Sequence, residues 1–225
     1  MTVKIVAYTK PCVDGVESIG EFVAYAARVS NPSNQMNSLT APKLLKYCAK
    51  NSHWSVFEMA NVVMEINTTR DIARQILRHR SFSFQEFSQR YADAKQLGFV
   101  TREPRFQDTK NRQNSIELKD MNDKQSSETV GQSWIAKQQQ LIHEIEIAYK
   151  WALEQGIAKE QARSILPEGN IMSRMYVNGN LRSWIHYCNL RMGPETQKEH
   201  RVIAQECWWK ILDIFPELND FTDNQ

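Results

Sequence analysis

Between Arg70 and Tyr91 the chain changes its period, and that change rules out both an all-helical and an all-strand fold. Arg70, Arg74 and Arg78 recur every four residues, the spacing of one helix face. From Phe82 the period becomes two, with Phe82 and Phe84 alternating with Ser83 and Gln85. The pattern predicts a helix over 69–79 that feeds a short extended segment. Phe82 and Phe84 would turn inward, and Ser83 and Gln85 would face a cavity. Like charges at four-residue spacing repel, and Asp71 is the nearby acid that could relieve them. The face is therefore either a solvated basic surface or a seat for an anion.

The rest of the chain supplies both kinds of element. Met1 to Tyr8 reads as a strand, 16–30 as a helix stopped by Asn31-Pro32, and a second helix starts after Thr40 with Pro42 in its first turn. Residues 59–68 alternate like a strand, and 171–177 read as another. Helices are predicted over 128–155, 158–165, 180–190 and 195–215. The stretch 93–127 is dense in Lys, Asp, Asn, Gln and Ser and reads as a polar insertion, a surface loop. With 225 residues and no internal repeat, the chain is expected to be one mixed domain over 1–225. Its class is α/β of the α+β kind, with a central sheet flanked by helices.

Composition narrows the chemistry. A net charge of +2 is too small to imply a polyanionic partner. No apolar run is long enough to span a bilayer, and the N-terminus lacks a secretory signal. The four cysteines, Cys12, Cys48, Cys188 and Cys207, have no metal-binding spacing, so we read them as reduced cytoplasmic thiols with no metal. No glycine-rich phosphate loop is present among the eight glycines. A nucleotide would have to be held by side chains, chiefly arginines, whose planar donors suit phosphate.

A second cluster lies at 180–191. Helical spacing places Arg182, His186 and Asn189 on one side and Trp184, Cys188 and Arg191 on another. Arg191 thus continues an apolar stripe, where an arginine is costly unless paired. Either a structural salt bridge or a ligand of negative character would satisfy it. Arg163, ahead of Ser164-Ile165-Leu166-Pro167, is a weaker third candidate.

These residues resemble the signature of the flavin-dependent thymidylate synthase family. Its hallmark is R-H-R, seven residues, then S, met by Arg78-His79-Arg80 and Ser88. Ser83, Glu86, Arg90 and Tyr91 fit the wider pattern. Ala27-Arg28-Val29-Ser30 and His53-Trp54-Ser55-Val56-Phe57-Glu58 resemble its early blocks. Ala162 to Pro167, Asn180 to Ser183 and Asn189-Leu190-Arg191 resemble its late blocks, in the right order.

The resemblance implies a homotetramer with active sites shared between subunits, binding FAD, dUMP, a reduced folate and NADPH. The reaction would methylate dUMP reductively to dTMP, with 5,10-methylenetetrahydrofolate as carbon donor and NADPH-reduced flavin as hydride source. Carried over by position, Ser55, Arg78, His79, Arg80, Glu86, Asn180, Arg182 and His186 are expected at the flavin. Gln75, Arg78, Glu86, Ser88, Arg90, Arg163 and Arg191 are expected at dUMP. His53 and Tyr91 would border the flavin and folate region. Arg191 is expected to be catalytic, a fixed positive charge that favours ionisation of the uracil at N3. Ser88 is expected to bind, since a serine nucleophile needs an adjacent base and Glu86 is engaged with ligand. Cys188 is expected in the core.

The rival reading is a nucleic-acid-binding protein that uses the basic helix and Phe82, Phe84 and Phe87 as a stacking platform. We expect nucleotide ligands, with no nucleic acid and no membrane as partners.

Overall fold

The computed structural model describes residues 1–221. Four strands form the main sheet: β1 (Thr2–Tyr8), β2 (Asn61–Thr69), β3 (Ser83–Glu86) and β6 (Met172–Asn180), in the order β1-β2-β6-β3. Helices α1 (Ile19–Ala27), α2 (Ala41–Lys50), α3 (Arg70–Ile76), α4 (Lys124–Glu154), α5 (Lys159–Ala162), α6 (Leu181–Arg191) and α7 (Lys198–Ile214) complete the mixed α/β fold expected from the pattern. The chain forms two compact units. One comprises Met1–Ile66, Arg78–Gln85 and the described residues from Tyr176 onward; the other comprises Asn67–Leu77 and Glu86–Met175.

In the first unit, local chemistry sets the element ends. Ser18 and Glu21 close a capping box on α1, each satisfying a backbone amide at the helix start. Helix α2 ends with the Ser52 amide donating to the Ala49 carbonyl and the His53 amide to the Cys48 carbonyl. That pairing is a Schellman closure, and it holds Ser52 in the left-handed region at φ 59°. The Asn180 side chain accepts from the Ser183 amide at 2.8 Å and so starts α6.

The core of this unit is apolar and closely filled. Val23, Leu45, Phe57, Val62, Met64, Trp184, Ile185, Ile211 and Phe215 are fully buried. Helix α6 packs on α7, α7 on β1, and α1 on α2. Buried Trp184 keeps its indole N–H satisfied by donating to the Val62 carbonyl at 3.0 Å. The Phe82 ring lies over Gly179, where an added Cβ would sit 2.3 Å from a ring carbon. Only a glycine admits that contact.

The second unit is organised by α4, a helix of 31 residues started by Asp123, whose side chain accepts from the Ser126 amide. Tyr149 and Ala152 pack with Ala94, Ala162, Leu166 and Ile171. Buried Gln138 accepts from the Arg102 amide at 2.7 Å and donates to the Arg102 carbonyl at 2.9 Å, which ties a loop to the helix.

Two expectations change here. The polar stretch 93–127 is not a plain loop. It holds a hairpin of β4 (Arg105–Gln107) and β5 (Ser115–Glu117), antiparallel with Phe106 opposite Ile116. The hairpin region leans on α4 at Gly131, where a Cβ would meet Pro104 and Leu118 at 3.0 Å. The second change concerns the arginine face. Helix α3 ends at Ile76, and the Phe82 amide turns back onto the His79 carbonyl. Arg78 therefore leaves the face, which keeps Arg70 and Arg74 only.

Among the described residues no helix is long and apolar enough to cross a membrane.

Candidate functional site

In the second unit the arginine face is paired. Arg70 is only 8% exposed, and a buried guanidinium needs charge and hydrogen-bond partners. It finds two carboxylates: Glu86 Oε1 lies 3.4 Å from its Nη1 and Glu168 Oε1 3.5 Å from its Nε. Arg74 donates to the same Glu168 oxygen from Nε at 2.9 Å. That hydrogen bond, together with the nearby charges, holds the Glu168 carboxyl below and the Arg74 guanidinium above their ordinary values. Asp71 does not relieve the face as expected, because it binds Arg102, whose Nη2 donates at 2.6 Å. Glu168 takes the role that the sequence suggested for Asp71.

Glu86 ends β3 beside β6. Its Oε1 accepts from Ser173 Oγ at 2.8 Å as well as from Arg70. Among the described residues no hydrogen bond links this carboxylate to Ser88, whose Oγ accepts from the Arg90 amide at 3.4 Å. Arg90 reaches Glu160 at 3.3 Å, with both side chains more than half exposed, a weak pair in water. Tyr91 is 78% exposed, Gln75 is half-buried on α3, and Arg163 is half-buried just after α5. Gln75, Glu86, Ser88, Arg90 and Arg163 all belong to this unit, as does Tyr91.

The first unit carries the remaining predicted residues. Arg191 Nε donates to His79 Nε2 at 2.9 Å. A ring nitrogen that accepts carries no proton, so this imidazole is neutral with its proton on Nδ1. Burial and the adjacent Arg191 charge depress the His79 pKa to about 4. Tyr187 stands edge-on to the ring with centroids 4.9 Å apart, and its hydroxyl lies 3.1 Å from His200 Nε2. His200 is fully buried, and desolvation with help from Arg191 and His79 lowers its pKa to about 3. Burial pushes the Tyr187 phenol well up. Three neutral rings therefore surround one permanent cation, and among the described residues no carboxylate pairs with Arg191. No motif or spacing points to His200 beyond its place in an apolar helix stripe, and none to its partnership with Tyr187.

Arg78 and Arg80 are exposed on the turn after α3. Across the same unit, exposed His53 and Ser55 precede Glu58, which pairs with Arg182 through Nη1 and Oε1. Trp54 stands edge-on to His186 at 4.8 Å, and desolvation, then the Arg182 charge, lowers the His186 pKa. Asn180 uses its oxygen for the α6 cap, and among the described residues its amide NH₂ makes no hydrogen bond.

Two rival features recede. Phe82 is 7% exposed and packs on Trp184 at 4.6 Å, so the proposed stacking platform loses its first ring. Cys188 is fully buried, and desolvation raises its thiol pKa well up, which suppresses the nucleophilic thiolate. Among the described residues there is no cluster of three His, Cys, Asp or Glu side chains able to hold a metal.

The donor set suits a nucleotide bearing phosphates and a ring with imide edges. Guanidinium groups at Arg78, Arg80 and Arg182 offer forked donors, and Ser55 and the Asn180 amide add neutral ones. No glycine loop is needed for such binding.

The family described as thymidylate synthase complementing protein matches residues 13–217. A protein of Paramecium bursaria Chlorella virus 1 named as a probable flavin-dependent thymidylate synthase is 46% identical over 219 residues, covering 97% of each chain. The flavin-dependent thymidylate synthase of a Synechocystis strain is 47% identical over 220 residues, covering 96% of each. Among solved structures, a UMP/dUMP methylase, PolB of Streptomyces cacaoi bound with 5-Br dUMP, superposes with a TM-score of 0.79. It is 22% identical, and the match covers 97% of this chain and 94% of that one.

Proposed function

Because this chain belongs to the thymidylate synthase complementing protein family and is a flavin-dependent thymidylate synthase, we propose that it converts dUMP to dTMP with FAD as its flavin. The carbon donor is 5,10-methylenetetrahydrofolate and NADPH is the source of reducing equivalents. The methylene carbon leaves both folate nitrogens and bonds to C5 of the uracil, which loses its proton. Hydride makes the carbon a methyl group, and the folate nitrogens take up two protons, one offset by that from C5 and one from solvent, to leave as tetrahydrofolate. The FAD, when bound, supplies that hydride after reduction by NADPH.

The observation that carries this reading is the state of Arg191. Its partner His79 is neutral, so its charge is not cancelled inside the protein. A fixed cation in a half-buried setting lowers the pKa of an adjacent imide and stabilises negative charge that develops on the ring. Arg191 is therefore assigned to the uracil ring at N3. Gln75, Glu86, Ser88, Arg90, Arg163 and Arg78 bind the nucleotide, with the guanidiniums on its phosphate. Ser55, Arg78, His79, Arg80, Glu86, Asn180, Arg182 and His186 hold the flavin, and His53 and Tyr91 border the folate.

The assembly we propose is a homotetramer with shared active sites, working in the cytoplasm, where its free cysteines stay reduced. A surface feature supports association. Val130, Trp134, Leu141 and Ala148 recur along α4 at spacings of four and seven, and all are exposed, as is Trp151 further along.

The test is an absorption spectrum of the purified protein, followed by product analysis. A yellow protein that forms dTMP from dUMP, methylenetetrahydrofolate and NADPH supports the reading. A colourless protein that remains inactive with added FAD overturns it.

A further inference from the structure

Glu86 receives two protein donors on one oxygen. Ser173 Oγ at 2.8 Å and Arg70 Nη1 at 3.4 Å both converge on Oε1. Among the described residues no hydrogen bond reaches Oε2. The asymmetry has a structural origin. Ser173 is 2% exposed on β6, and the Phe87 amide donates to the Arg174 carbonyl at 2.8 Å, which holds the end of β3 against that strand.

Arg70 is fixed with equal care. Its backbone amide donates to the Ile171 carbonyl at 3.0 Å, and the Asp71 amide donates to the Glu168 carbonyl at 3.1 Å. The first turn of α3 is thereby tied to the segment leading into β6. Arg70 also touches Glu168 Oε1, the oxygen that Arg74 holds as well. Neither Ser173 nor Glu168 has a motif of its own, and Arg70 is too buried to meet a ligand directly.

We infer that Ser173 and Arg70 are positioning residues that clamp Glu86 by Oε1 and so aim Oε2 as a fixed acceptor at a hydroxyl or N–H of the bound nucleotide. A carboxylate free to rotate would lose torsional entropy on each binding event; one clamped beforehand does not. The inference rests on the reading that Glu86 contacts the nucleotide, and it adds the residues that make that contact rigid. It also gives Ser173 a purpose that packing alone leaves open, since a buried alanine would fill the same space.

The experiment is a double-mutant cycle on the holoenzyme, with dUMP affinity read from the change in flavin absorbance. Ser173→Ala should raise the Kd for dUMP about tenfold, the size expected for losing a hydrogen bond to a charged group. Glu86→Gln should weaken binding at least as much. Adding Ser173→Ala to Glu86→Gln should then change Kd by less than about twofold, because a residue acting through Glu86 has nothing left to act on. Arg70→Gln in the same two backgrounds repeats the cycle from the other donor and serves if Ser173→Ala does not fold. FAD content and the thermal midpoint are measured in parallel.

Equal losses from Ser173→Ala with and without Glu86→Gln would overturn the clamp, as would no loss from either donor variant. If Glu86→Gln itself leaves dUMP binding unchanged, the nucleotide contact is wrong and the clamp falls with it. If the proteins bind flavin but no variant and no wild type responds to dUMP, the enzymatic reading itself has failed.

Discussion

Arg191 and His79, 112 positions apart in the chain, share a 2.9 Å hydrogen bond in which the guanidinium Nε donates to a neutral imidazole nitrogen. The bond orients a permanent charge without cancelling it, which a carboxylate partner would do.

Lowering the pH should weaken the fold. The His79 and His200 pKa values lie at about 4 and about 3 when folded, below the ordinary 6.5. The unfolded chain therefore binds more protons than the folded one as pH falls below about 6.5. The contribution of both rings is complete above that pH and is lost progressively down to about 4 and below. Urea denaturation at pH 7.5 and pH 5.0 should show a clear loss at the lower value, smaller in His200→Phe if that variant folds. Imidazole nitrogen shifts should show His79 still neutral at pH 5.5, and a protonated ring there would refute the assignment.

Arg191→Ala should reduce turnover by about 10²- to 10³-fold, the scale of losing one charge-stabilising donor. FAD should stay bound, because the first unit holds other guanidiniums. Arg191→Lys keeps charge but loses the Nε geometry and should recover only part of the rate. Steady-state kinetics with a flavin count separates these cases; loss of FAD in Arg191→Ala would contradict the proposed role.

For Ser88→Ala, the hydroxyl is expected to bind and not to attack. Among the described residues no hydrogen bond links Ser88 to Glu86, and its Oγ accepts from the Arg90 amide, so no base is in place to activate it. The variant should show a raised KM for dUMP and residual kcat. Complete loss of activity at saturating dUMP would restore the nucleophile.

Ser52→Gly should stabilise the protein by about 0.5–1 kcal/mol. Ser52 occupies the left-handed position of the α2 closure at φ 59°, where glycine carries no steric penalty. A rise in the urea midpoint at unchanged slope would show it, and a fall would mean that the hydroxyl makes a contact worth more than the backbone relief.

Trp134→Glu combined with Leu141→Glu should reduce the assembly to smaller species. Both side chains are large, apolar and exposed on α4, at 45% and 61%. Light scattering after size exclusion reads the mass directly. An unchanged tetramer would move the proposed interface away from this helix.

Much of the fold was legible from local signals, because local physics sets those features. Pro42 marked the start of α2, Asn180 the start of α6, and alternation marked β2. The hairpin in the polar stretch was hidden by its brevity, three residues to a strand, too short for a period to register. Helix α4 begins at Lys124 through the Asp123 cap, ahead of its first large apolar residue. Arg78 was misplaced because the turn at 77–80 lacks a glycine or proline to announce it. In the site, residue types and arginine spacing were readable. Partners were not: Glu86 meets Ser173 across 87 positions, and Arg74 meets Glu168 across 94. Such pairs are made by strand and helix placement and leave no trace in spacing.

The contact of the Phe82 ring with Gly179 has a consequence for anyone who diversifies this sequence. The two positions cannot be sampled independently, since any side chain at 179 evicts the ring that anchors the turn carrying His79 and Arg80. A mutational library should treat them as a single coordinate. Variants at 179 should be recoverable only alongside a smaller residue at 82, so that the path between functional sequences passes through a paired change.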